Sequence, residues 1–140
     1  MHYLVAHKPS HYALCHRLMK QLGMANERMG WPTIMAYDSE GKFLGFMSTE
    51  KRKDAVVGGP LAIVKGKGLP TLFKIVSAYE AVLINCGIKF YWFHVLHSNS
   101  HWKTLLDKFI ARYGGMTRLG EDEIGTWYSR EMYADDITAN

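Results

Sequence analysis

Apolar positions along the chain switch between two periods, and the switches mark out elements. Residues 2–6 are short and rich in strand formers, which predicts a first strand. Pro9 and Ser10 supply a helix start, and Tyr12, Cys15, Leu18, Met19 and Leu22 recur at helical spacing until Gly23. Residues 33–37 and 42–49 are apolar runs joined by the turn Asp38–Gly41, the pattern of a β-hairpin. A further strand is expected at 55–64. Its centre, Gly58-Gly59-Pro60, cannot ladder regularly and predicts a bulge or bend.

The pattern then changes. Lys65, Gly66, Lys67 and Gly68 form a glycine-rich turn, and Pro70 suits the first turn of a helix. Leu72, Ile75, Val76, Tyr79, Val82, Leu83 and Cys86 make one helical stripe, closed by Gly87. Residues 88–97 are aromatic and β-branched enough for a central strand. Trp102, Leu105, Leu106, Phe109, Ile110 and Tyr113 give a last helix before Gly114 and Gly115. Two strands near 116–120 and 125–133 close the chain around the acidic turn 121–123. The order β-α-β-β-β-α-β-α-β-β is that of an α/β protein with a mixed sheet. A single domain over residues 1–133 is expected, with 134–140 a loose tail.

Composition narrows the class. With 48% hydrophobic and 21% charged residues in 140, the chain is expected to fold around one core. No apolar run reaches the ~20 residues of a membrane span, and no leader pattern opens the sequence, so a soluble cytoplasmic protein without membrane partners is expected. Cys15 and Cys86 fall among apolar helix positions and are expected to be buried thiols. The net charge of +4 is unevenly spread, because residues 119–140 hold six Asp/Glu against one Arg. A basic body suits a phosphorylated ligand or nucleic acid by Coulomb attraction, although no nucleic-acid motif is present. The dense basic run is Lys51-Arg52-Lys53.

The constellation richest in chemistry is the strand, turn and helix over residues 61–76. Free N–H groups at a helix N-terminus, backed by the macrodipole, bind anions. Gly66 and Gly68 allow close approach of a pyrophosphate, and Lys65 and Lys67 add charge.

This order of elements, with Val64-Lys65-Gly66-Lys67-Gly68 after the fourth strand and Asn99 after the fifth, resembles the GNAT superfamily of acyl-CoA-dependent N-acyltransferases. The resemblance spans roughly residues 2–133. It implies a central mixed, mostly antiparallel sheet with helices on both faces, and acetyl-CoA or another acyl-CoA as co-substrate with an amine as acceptor. In the family the loop starts with Gln or Arg, which is missing here. The resemblance puts cofactor contacts on Leu61, Ala62, Ile63, Val64, Lys65, Gly66, Lys67, Gly68, Leu69 and Asn99. A Tyr that protonates the departing thiolate in the family falls at Leu106 here, leaving Tyr113 as the candidate. Residues 55–64 hold no acid, so the candidate bases are Glu50, beside that strand, and His97.

The segment from Asn99 onward is also similar to short GNAT-like proteins of tailed bacteriophages, some of them virion components. That likeness implies an alternative: a catalytically inactive structural or partner-binding module, in the host cytoplasm or the virion. The resemblance further implies pairing of two copies through the final strands.

Other residues carry less. His94 and His97 have opposite parity on a regular strand and are expected on opposite faces, so no metal site is expected there. His7, His11 and His16 have no carboxylate close by in sequence. Trp31, Trp92, Trp102 and Trp127, with the tyrosines, are expected mainly to fill the core.

Overall fold

The computed structural model describes residues 1–24, 27–113 and 115–132, with backbone alone for 109–113. The tail expected at 134–140 lies outside the described residues. Ten elements follow one another: β1 (His2–Val5), α1 (Pro9–Gln21), β2 (Ile34–Tyr37), β3 (Phe43–Arg52), β4 (Ala55–Ile63), α2 (Leu69–Asn85), β5 (Phe90–Leu96), α3 (Ser100–Tyr113), β6 (Met116–Glu121) and β7 (Gly125–Glu131). The order is the one the periodicities predict.

The seven strands form one sheet, ordered β1-β2-β3-β4-β5-β7-β6. Neighbours are antiparallel except β4 and β5. That pair is parallel because α2 carries the chain back from the end of β4 to the start of β5.

Alternation along the strands builds two cores. Met35, Phe46 and Ala62 meet Cys15, Leu18 and Met19 of α1 on one face. Ile34, Ala36, Met47 and Tyr91 meet Ile75, Tyr79 and Leu83 of α2 on the other. The bulge expected in β4 is present: Met47 pairs with Leu61, but Thr49 pairs with Gly58, so β4 carries one extra residue. Gly58 cannot carry a side chain, since a Cβ would stand 2.7 Å from the Tyr91 ring.

Buried polar groups tie the layers together. The carboxylate of Glu80, on α2, accepts from Tyr91 Oη at 2.7 Å and from Arg130 Nε and Nη2 at 3.0 and 3.2 Å. Burial, and then the Glu80 charge, push the Tyr91 phenol well above its usual pKa. Thr49 Oγ1 donates to Pro32 O at 2.8 Å and lies 2.6 Å from Tyr79 Oη.

Several expectations need correction. β3 runs on to Arg52, so Lys51 and Arg52 are strand residues paired with Val56 and Ala55. Cys15 is buried, but Cys86 is exposed, because it caps the end of α2 where the apolar stripe has left the sheet. Among the described residues the buried aromatics are Phe46, Tyr79, Tyr91 and Tyr128, whereas Trp31 and Trp92 are exposed at 58% and 36%. No helix among the described residues is long and apolar enough to cross a membrane.

Candidate functional site

The site begins where the sheet comes apart. β4 and β5 share one register pair, Val57 with Trp92, and beyond it their paths separate. Val64 N–H donates to Leu44 O at 2.9 Å. Strand alternation therefore turns Ala62 toward β3 as well, and leaves the N–H and C=O groups of Leu61 and Ile63 facing the gap. β4 thus presents an open edge inside the sheet.

At the end of that edge stands the glycine turn. Gly66 has φ +89°, a conformation that glycine adopts without strain. Gly68 is the N-cap of α2, which has no side-chain cap, so its first turn leaves donors free for a ligand. Lys67 N–H is spent on Val64 O and Thr71 N–H on Gly68 O, and Pro70 has none. The N–H groups of Gly66, Gly68 and Leu69 lie outside these bonds. The side chains of Lys65 and Lys67 are exposed beside them. Across the gap, Asn99 follows β5 and opens α3, its carbonyl accepting from Lys103 N at 3.3 Å.

A second cluster lies on the sheet face that carries the even-numbered residues of β5. His94 stacks on Trp127 with ring centres 4.4 Å apart, and its Nε2 lies 3.2 Å from Asp122 Oδ1. Asp122 also accepts from Ile124 N, Gly125 N and Trp127 Nε1 at 2.8–2.9 Å. Those bonds, the Gly125 amide first, hold its carboxyl far below the usual range. His94 Nε2–H therefore donates to a carboxylate. Glu27, between α1 and β2, faces the same cluster. Desolvation by the surrounding groups and then repulsion by Glu50 raise its pKa, while His94 lowers it. Glu50 itself pairs with Arg52 at 3.1 Å, and the Arg52 guanidinium lies 5.1 Å from the Trp127 ring centre.

The candidate bases differ in their surroundings. Glu50 is half-exposed on β3 opposite Val57. His97 has both nitrogens engaged, Nε2–H donating to Asp122 O at 2.8 Å and Nδ1 accepting from Lys103 Nζ at 2.5 Å. The expectation that His94 and His97 face apart is corrected, because β5 ends at Leu96 and both rings turn to Asp122. Tyr113 is the last residue of α3, and its side chain lies outside the described residues. Sequence reasoning weighed His94 only as a metal ligand, and it missed Asp122. The available signal was an Asp three residues before a Gly in a turn, a pattern in which the carboxylate caps its own backbone.

The fold can now be compared with known proteins. It matches a GNAT-family acetyltransferase from Staphylococcus aureus Mu50 at 8% identity, covering 94% of this chain and 99% of that one, with a TM-score of 0.70. It matches the N-acetylglutamate synthase of Neisseria gonorrhoeae, solved with coenzyme A and N-acetyl-glutamate, at 13% identity and TM-score 0.65, over 94% of this chain. This chain spans 35% of that synthase. An aminoglycoside 6'-N-acetyltransferase complexed with coenzyme A matches at 12% identity and TM-score 0.65, over 94% and 97% of the two chains. Neither family models nor curated proteins give a match to the sequence. The chain has the GNAT fold.

Proposed function

We propose that this chain is an acyl-CoA-dependent N-acyltransferase that moves an acetyl or other acyl group from CoA to an amine. The observation that carries the proposal is the gap between β4 and β5, with an unpaired strand edge running down to an uncapped helix N-terminus.

In this reading Gly66, Gly68 and Leu69 donate backbone N–H groups to the pyrophosphate, with Lys65 and Lys67 beside it. Leu61 and Ile63 pair with the amides of the pantetheine arm as a missing strand would, alternating with Ala62 and Val64, whose N–H groups are turned to β3. Asn99 reaches the arm from the far wall. A Leu61 or Ile63 N–H also donates to the oxyanion that forms when the amine attacks the thioester. The amine must first be neutral. His94 Nδ1, its ring fixed by Asp122 and Trp127, and Glu50 are the proton acceptors the geometry offers. His97 would serve only after Lys103 leaves its Nδ1. The departing thiolate needs little help, as thiol pKa values lie near ~8.5, and Tyr113 is the candidate donor.

The test is calorimetric titration with acetyl-CoA at near-physiological salt, followed by thiol release against a panel of amines. Micromolar binding and amine-dependent release are expected. An absence of heat, and of any melting shift at millimolar CoA, would sink the proposal and favour the inactive partner-binding module.

A further inference from the structure

The face of the sheet that α1 packs on is uncovered beyond β4. The α1 cluster reaches Ala62 and includes no residue of β5 or β7. Residues paired across neighbouring strands share a face, so Glu50, Val57, Trp92 and Ser129 form one row across β3, β4, β5 and β7. Phe90 and His94 flank Trp92 on this face at intervals of about 7 Å, and Trp127 pairs with His94. Side-chain contacts agree with the registers: the His94 ring stacks on Trp127, and the Arg52 guanidinium crosses from β3 to lie over the same indole. Glu27, from the segment before β2, feels the charges of Glu50 and His94 and so belongs to the same face.

This face already holds one cation. Arg52 Nε donates to Glu50 Oε1 at 3.1 Å, and the same guanidinium lies 5.1 Å from the Trp127 ring centre. A carboxylate and an indole face around one positive charge make a cation site, and the chain's own arginine shows what fits it. Glu27 forms no ion pair among the described residues, and it and Glu50 repel each other, so a further positive charge between them is favoured. Glu50 and Arg52 are each about half exposed, and such pairs are held weakly enough for a ligand's ammonium to compete.

Catalysis asks for the opposite charge state. The attacking nitrogen must be neutral, whereas carboxylates and a ring face keep an amine protonated. One nitrogen cannot meet both demands; two nitrogens on one flexible chain can. The exposed rings of Phe90 and Trp92 supply an apolar track for the methylenes between them.

We propose that the acceptor is a linear di- or polyamine, anchored as an ammonium by Glu27, Glu50 and Trp127 and acylated at its other end. The proposal rests on the acyltransferase reading and names the substrate class for it. The terminal nitrogen, neutral once a proton has passed to His94, attacks the thioester carbonyl. The N–C bond forms, the C–S bond breaks and CoA leaves as a thiolate, which takes the proton that the nitrogen sheds on becoming an amide. The anchored nitrogen keeps its charge throughout.

The experiment is thiol release from acetyl-CoA with putrescine, spermidine and butylamine as acceptors, butylamine being putrescine without its second nitrogen. The kcat/KM for putrescine or spermidine is expected to be at least about tenfold higher, the combined effect of an ion pair and a ring contact. Glu27→Gln should cut that preference about threefold or more, the reach of one exposed ion pair. Arg52→Gln, which removes the competing cation, should lower the KM for spermidine; a merely solvated arginine would leave it unchanged. Both residues are exposed, so neither variant threatens the fold. Quenching of tryptophan fluorescence by spermidine without CoA, stronger at low salt, reports the cation site alone. Acetyl-CoA binding with equal use of butylamine and spermidine overturns this proposal and leaves the acyltransferase reading standing. Preference for a lysine peptide or an aminoglycoside over spermidine overturns it as well. Absence of acetyl-CoA binding removes the acyltransferase reading and the acceptor class with it, and absence of quenching removes the cation site.

Discussion

Val57 and Trp92 are the register pair through which β4 and β5 touch, and the sheet opens immediately past them. A strand edge inside a sheet carries unpaired N–H and C=O groups, which a ligand can take up only if it is itself strand-like. The glycine turn at the end of that edge fixes which end of such a ligand is anionic.

Gly68→Asp tests this polarity. Gly68 has φ −101° and ψ −166°, open to any residue, and an added Cβ meets nothing nearer than Pro70 Cδ at 3.7 Å. The substitution should leave the melting temperature within a few degrees and weaken CoA binding at least tenfold, about 1.4 kcal/mol. Calorimetry and thermal melting on one sample decide it; unchanged affinity removes the turn from the site.

Asp122→Asn should alter how proton transfer depends on pH without weakening CoA. The carboxylate keeps the proton on His94 Nε2, and an amide can hold either tautomer. A drop in kcat with KM for acetyl-CoA unchanged is expected, and His94→Gln should lower kcat further. If both variants retain the pH–rate profile, with Glu50→Gln abolishing it, Glu50 is the base.

The same aspartate makes a stability prediction with a definite sign. Its folded pKa is depressed, so its contribution is present above the unfolded value of about 3.9 and is lost as pH falls through the folded one. The melting difference between the wild type and Asp122→Asn should therefore be full at pH 7 and shrink on acidification below pH ~4. A difference independent of pH would show that geometry, not charge, holds the turn.

The two thiols should behave oppositely. Burial pushes the Cys15 thiol up to about 12, while Cys86 is exposed. One equivalent of a thiol reagent should react quickly with the native protein at pH 8, and Cys86→Ser should abolish that phase. Reaction of Cys15 should wait for unfolding.

Much of this was readable in the chain because it is local. The stripe Leu72–Cys86, the Gly58–Pro60 bulge and the glycine turn are each determined by neighbours within a few residues. The parting of β4 from β5 is not, since it depends on residues 35 apart, Val57 and Trp92. The His94–Asp122 contact was hidden for the same reason, spanning 28 positions. Cys86 was misplaced because an apolar stripe does not reveal where its helix leaves the sheet. Trp92 was misplaced because strand 90–96 is covered on one face alone, and its aromatic content suggested both.

Glu80 reaches across the opening: it sits on α2, which follows β4, and grips Arg130 on β7, beyond β5. Removing one member of such a buried pair costs about 3–5 kcal/mol, so Glu80→Ala should show a loss of that size in urea denaturation. Seen mechanically, the sheet is two plates riveted at a single rung, with α2 as the bracket that sets their separation. How wide the slot stands is then a property of a helix and one ion pair, far from any residue that would touch a thioester.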